Sequence, residues 1–129
     1  MQRFRRKGDK KSDVKREDKV SELEQFAGND RETYEALCST MFLDPRKVES
    51  SLKQAADSAK KSEKAGDMVR AGMWYEVAGG LAIYEGNVKK VVEHYTDAAR
   101  VTGRQYLILK NPEKAVAVAQ EYYKKVLLA

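Results

Sequence analysis

Apolar residues recur along this chain at three- and four-residue intervals, the period of a helix that hides one face. The spacing predicts helices over about 19–27, 30–42, 45–65, 67–85, 88–109 and 112–128. The first carries Val20, Leu23, Phe26 and Ala27, and Gly28-Asn29-Asp30 then stops it and caps the second, making a short helical hairpin. Asp44-Pro45 reads as the start of the third. The carboxylate can accept from the free N–H groups of the first turn, where proline has no donor to leave unpaired. From there Val48, Leu52, Ala55, Ala56 and Ala59 share one face, with lysines and acids opposite.

The fourth segment differs. Between Met68 and Tyr84 only Arg70 and Glu76 are charged, and a helix apolar nearly all round is surrounded on most sides. This predicts the central helix of a bundle, with Ala78, Gly79, Gly80 and Ala82 letting a neighbouring backbone come close. At about 1.5 Å per residue it is short for a membrane span, and glycines interrupt it. Gly86-Asn87 closes it. The fifth helix turns Val91, Val92, Tyr95, Ala98, Ala99 and Val101 inward, with a bend expected at Gly103. Asn111-Pro112 repeats the cap-plus-proline signal before Ala115, Val116, Ala119, Tyr122, Tyr123 and Val126. No strand-like alternation is long enough to support a sheet.

The turns repeat. Gly66-Asp67 precedes Ala71, Tyr75 and Ala78; Gly86-Asn87 precedes Val91, Tyr95 and Ala98 at the same offsets; Lys110-Asn111 leads to Ala115, Ala119 and Tyr122. Small residues (Ala59, Gly79, Gly103) sit seven positions before each turn. This grammar resembles the tetratricopeptide repeat over about Leu52 to Tyr123, which implies helix pairs that hold a partner protein. The turns fall 20 and 24 residues apart where that family repeats every 34, so an up-and-down bundle fits better than a solenoid. Lys64-Ala65-Gly66-Asp67 also resembles the turn of the microtubule-interacting-and-transport domain, a three-helix binder of helical peptides. Gly66-Asp67-Met68-Val69-Arg70-Ala71 is similar to a small archaeal family of helical hairpins. Neither match carries catalytic residues. The expected fold is an all-α, up-and-down bundle with tetratricopeptide-like helix pairs, one domain over 19–129, preceded by a basic tail over 1–18.

Charge changes the picture at that tail. Residues 1–20 hold nine Lys or Arg against four acids, and the rest of the chain sums to zero. With Phe4 and Val14 nearly alone as apolar residues, the tail is expected to be disordered by itself. Arg3, Arg5, Arg6, Lys7, Lys10 and Lys11 could neutralise phosphates on nucleic acid or the ribosome without reading sequence. The bland alternative is a solubilising end. The segment has no apolar core for a signal peptide, and acids interrupt it as they would not a mitochondrial presequence, so the cytoplasm is the expected location.

The remaining chemistry is sparse. Cys38, the one cysteine, falls on a stripe with Tyr34, Leu37 and Met41 and is expected to be buried. His94 has only Glu93 and Asp97 beside it, fewer than a structural metal site needs. Glu76 is expected to pair with Arg70 or a tyrosine. Trp74, Tyr75, Tyr84 and Tyr95 are candidates for a peptide groove, with core packing favoured. Tyr122, Tyr123, Leu127 and Leu128 are candidates for an apolar partner or homodimer face. The pattern predicts no enzyme, no cofactor and no metal. It predicts a non-enzymatic adaptor that binds a protein partner, with a nucleic-acid or ribosome-associated protein as the alternative.

Overall fold

Two turns of the same chemistry set the middle of the molecule, which a computed structural model describes over residues 22–128. Helix α3 (Leu52–Lys64) leads into α4 (Met68–Glu85) and that into α5 (Val88–Thr102). Gly66 (φ +83°) and Gly86 (φ +73°) take the left-handed conformation that closes a helix without a Cβ clash. The next residue then does double duty. The N–H of Asp67 donates to Ser62 O (2.9 Å) and that of Asn87 to Ala82 O (3.0 Å), while their side chains accept from Arg70 N and Lys90 N (3.1 Å each). Turns this short make the three helices run up, down and up.

Before them lie helical residues 22–27 (the described part of α1) and α2 (Arg31–Thr40), whose first turn is capped by the Asp30 carboxylate accepting from Thr33 N (3.0 Å). After them comes α6 (Pro112–Tyr122), capped by Asn111 and prolonged by a wider π-turn over Tyr123–Leu127. The fold is all-α, with no strand among the described residues. None of the described helices is long and apolar enough to cross a membrane. Residues 1–21, which include the expected tail, lie outside the described part.

Two expected helices are shorter than their pattern. Asp44-Pro45 opens only a 3-10 turn over Pro45–Lys47, in which the Asp44 carboxylate accepts from both the N–H (3.2 Å) and the guanidinium (2.9 Å) of Arg46. The chain is extended at Val48, and α3 starts at Ser51, whose hydroxyl accepts from Gln54 N (3.1 Å) while Gln54 Oε1 accepts from Ser51 N (3.0 Å). Phe42 explains the detour. Its ring lies against Gly80 of α4 and its carbonyl accepts from Tyr123 OH (2.5 Å), so the segment bridges elements instead of coiling. The fifth helix stops at Thr102, where Gly103 (φ +75°) ends it rather than bending it, and Leu107–Lys110 forms a separate 3-10 turn.

The core lies in two parts. The buried residues of α3 are Ala55, Ala56 and Ala59, which pack on Ala71, Tyr75 and Ala78 of α4 and Ala98 of α5, while the half-buried Leu52 packs on the larger part. The larger part joins Leu23, Leu37, Ile83, Val91, Ile108, Val116 and Tyr122. The small residues of α4 admit side chains rather than a backbone: a Cβ on Gly79 would strike the Tyr95 ring, one on Gly80 the Phe42 ring, and one on Gly72 the Thr102 methyl.

Candidate functional site

At 100° per residue, Ala71, Tyr75, Ala78 and Ala82 form the inner face of α4, and all are buried. Val69, Met73, Glu76, Gly80, Ile83 and Tyr84 share the opposite, outer face. The end of that outer face towards Glu85 is covered. Phe42 lies on Gly80, Gln120 Nε2 of α6 donates to both Ile83 O and Tyr84 O (2.8 Å each), and Tyr84 meets Tyr123 edge-on with ring centres 5.1 Å apart.

The other half is bare. Val69 is 86% exposed, Met73 48% and Met68 44%, three of the five large exposed hydrophobic residues among those described. Met68, Val69, Gly72 and Met73 form one wall of a cleft of about 510 Å³, and Val101 and Thr102 of α5 form the other. Glu76 closes one end: its carboxylate accepts from Tyr106 OH and from Arg104 (3.0 Å). Arg104, not Arg70, is thus the cation that pairs with Glu76, because the chain leaving α5 after Gly103 passes over it; Arg70 turns back to Asp67 at 3.7 Å. A second, shallower cleft flanks the same half of α4 on the α3 side, lined by Lys61, Ala65, Arg70 and Trp74.

Two further features surround α3. Glu63 accepts from Tyr75 OH (2.8 Å) and from Arg100, which also holds Asp97 (3.2 Å), so one network ties α3 to α4 and α5. The Arg100 guanidinium, then the Tyr75 hydroxyl, hold the Glu63 carboxyl below the usual carboxylate range. On the far side a groove of about 570 Å³ runs between α3 and α5, with His94 among its lining residues. His94 is only 2% exposed, and neither ring nitrogen has a hydrogen-bond partner. Burial pushes its pKa down, Glu93 and Asp97 oppose the shift, and Lys90 and Lys60 add to it. The balance favours the neutral imidazole.

Compared with known proteins, this chain matches no family model, no curated protein and no solved structure.

Several expected site residues stand elsewhere. Tyr122 and Tyr123 are 0% and 2% exposed, so they cannot form the partner face expected of them with Leu127 and Leu128. Tyr122 continues the buried face of α6 set by Ala115, Val118 and Ala119 and meets Phe26, and Tyr123 packs against Tyr84; Leu127 also packs on the core, and Leu128 alone is open. The four aromatic candidates for a groove are dispersed, and the favoured alternative, core packing, describes two of them. Tyr75 and Tyr95 are core, Tyr84 abuts Tyr123, and Trp74 is half-buried between α3 and α4. Cys38 is exposed rather than buried, since Thr33, Ala36 and Leu37 supply the buried face of α2. Arg3, Arg5, Arg6, Lys7, Lys10 and Lys11 lie outside the described residues. No cluster of three or more metal-ligating side chains occurs among the described residues. The bare face of α4 was missed because its pattern matches that of a wrapped helix.

Proposed function

We propose that this chain is a non-enzymatic helical adaptor that binds a protein partner, with auxiliary electrostatic contact through its basic tail. The observation that carries the reading is the exposed apolar half of α4: Met68, Val69 and Met73 stand together in water on a helix whose other half is covered. Contiguous apolar surface of this kind marks interaction sites, and methionine side chains adapt to partners of varied shape. No cofactor or metal enters this reading.

A second reading has its own observation, the excess of five positive charges in residues 1–20. In it the tail is the main determinant and the partner is RNA, DNA or the ribosome. Six phosphate contacts give a log–log salt slope of about −4 to −5. The two readings separate in affinity capture from native lysate, with and without nuclease. The baits are the full chain and a variant with Arg3, Arg5, Arg6, Lys7, Lys10 and Lys11 all changed to Gln. The adaptor reading expects the same protein partner on both baits after nuclease. Loss of every partner to nuclease, and from the neutralised bait, refutes it in favour of the tail.

A further inference from the structure

Helix α3 is held differently at its two ends. Its last turn is tied by polar contacts, Glu63 accepting from Tyr75 OH (2.8 Å) and from Arg100 (3.1 Å). Its first half rests on methyl groups: Ala55 and Ala56 pack with Trp74, Val77 and Ala78 of α4, and Ala59 with Ala71 and Tyr75 of α4 and Ala98 of α5. Leu52, half-buried, is the one larger apolar side chain in the helix. The chain leading in is extended at Val48 and exposed at Glu49 and Ser51, so no buried anchor immediately precedes this half. Small apolar contacts and an exposed lead-in mark a segment that opens ahead of the rest of the core.

His94 lies beneath that half. Ala59 meets Ala98, and one turn back along these parallel helices brings His94 level with Ala55 and Ala56. Ala56, Lys60 and His94 line the same groove. The ring is 2% exposed and neither nitrogen has a partner. Neutral, it leaves a donor and an acceptor unmet; protonated, it sets unmet donors and a charge against alanine methyls. The charged groups around it are Lys53, Asp57 and Lys60 on α3, Glu85 on α4, and Lys90, Glu93 and Asp97 on α5. Lys53 holds Asp57 (3.0 Å), Lys90 holds Glu93 (3.6 Å) and Arg100 holds Asp97 (3.2 Å), and no carboxylate bonds the ring. Inside the closed groove an imidazolium has nothing to bond, and water is the partner that serves it.

We infer that α3 carries an acid-operated release: when His94 takes a proton from solvent, residues 52–59 unwind from α4 and α5, wetting the ring and uncovering Trp74 and the alanines of the inner face of α4. Loss of the proton closes the groove again. In the open segment the ring titrates at its ordinary 6.5, and burial holds it lower in the closed one, so falling pH favours opening.

The test is amide hydrogen exchange on the full chain at pH 7.5 and 5.5, with opening constants corrected for intrinsic exchange rates. At Ala55, Ala56 and Ala59 these constants are expected to rise in acid by at least about threefold and up to about tenfold. At both pH values they exceed those of Ile83 and Val116, in the larger part of the core, by at least about tenfold, because the opening is local. In His94→Leu and in His94→Gln, neither of which titrates, the acid rise falls below about twofold; the glutamine keeps a polar side chain there and separates loss of the proton site from loss of polarity. A smaller rise in the wild type overturns the inference, as does an acid rise retained in either folded variant, which assigns it to another group. It is also overturned if Ala55, Ala56 and Ala59 exchange no faster than Ile83 and Val116, since release of α3 is then inseparable from unfolding of the whole chain.

Discussion

His94 offers the sharpest test of the packing between α3 and α5. Its ring is buried with both nitrogens unpartnered, and an unsatisfied buried polar group costs about 1–3 kcal/mol, part of which an apolar side chain of similar size recovers. His94→Leu is therefore expected to stabilise the chain by about 1 kcal/mol at pH 7.5. The acid limb follows from the direction of the shift. Because burial lowers the folded-state pKa below the ordinary 6.5, the unfolded chain binds the extra proton first. Wild-type stability is at its full level above that ordinary value. It declines as pH falls through 6.5 and levels off once the folded imidazole itself titrates. Between pH 7.5 and 5.5 the wild type loses at most about 1.4 kcal/mol by this route, and His94→Leu loses almost none of it. The charged groups that line the groove beside the ring or act on it are Lys53, Asp57 and Lys60 on α3, Glu85 on α4, and Lys90, Glu93 and Asp97 on α5. Urea melts at the two pH values, followed by Trp74 fluorescence and by circular dichroism, measure the difference. An equal acid slope in wild type and His94→Leu, or a variant clearly less stable at pH 7.5, refutes the reasoning, since it means that the ring has found a partner.

Two further substitutions probe the close contacts of the core. Gly79→Ala gains about 1 kcal/mol of helix propensity, but its Cβ collides with the Tyr95 ring, so a net loss of about 1–3 kcal/mol is expected in chemical denaturation. A stabilised variant contradicts the packing of α4 on α5. Tyr122→Phe and Tyr123→Phe differ in sign although the residues are neighbours. Tyr123 OH donates to Phe42 O, so its removal costs about 1 kcal/mol, whereas Tyr122 OH is buried without a partner and its removal is neutral or stabilising. Equal losses in thermal melts refute the distinction.

Much of the architecture is legible in local chemistry. Gly66-Asp67, Gly86-Asn87 and Asn111-Pro112 act as helix boundaries wherever they occur, because a left-handed glycine and a side-chain cap need only their immediate neighbours. Asp44-Pro45 carries a similar signal and yields a single 3-10 turn. There the competing cap at Ser51 and the anchoring of Phe42 against Gly80 and Tyr123 prevail, and both contacts with Phe42 are distant in sequence.

The sequence by itself determined an all-α fold, the two tight turns around α4, the alanine face of α3 and the basic excess of the first twenty residues. All of these follow from spacing or charge within a few turns of chain. Only the tertiary structure decided which apolar surface stays in water. Val69 and Met73 carry the same helical period as the covered Gly80 and Ile83, and they differ because α6 and Phe42 reach one half of α4 and not the other. Periodicity tells which side of a helix is apolar; the reach of elements far along the chain tells how much of that side is met.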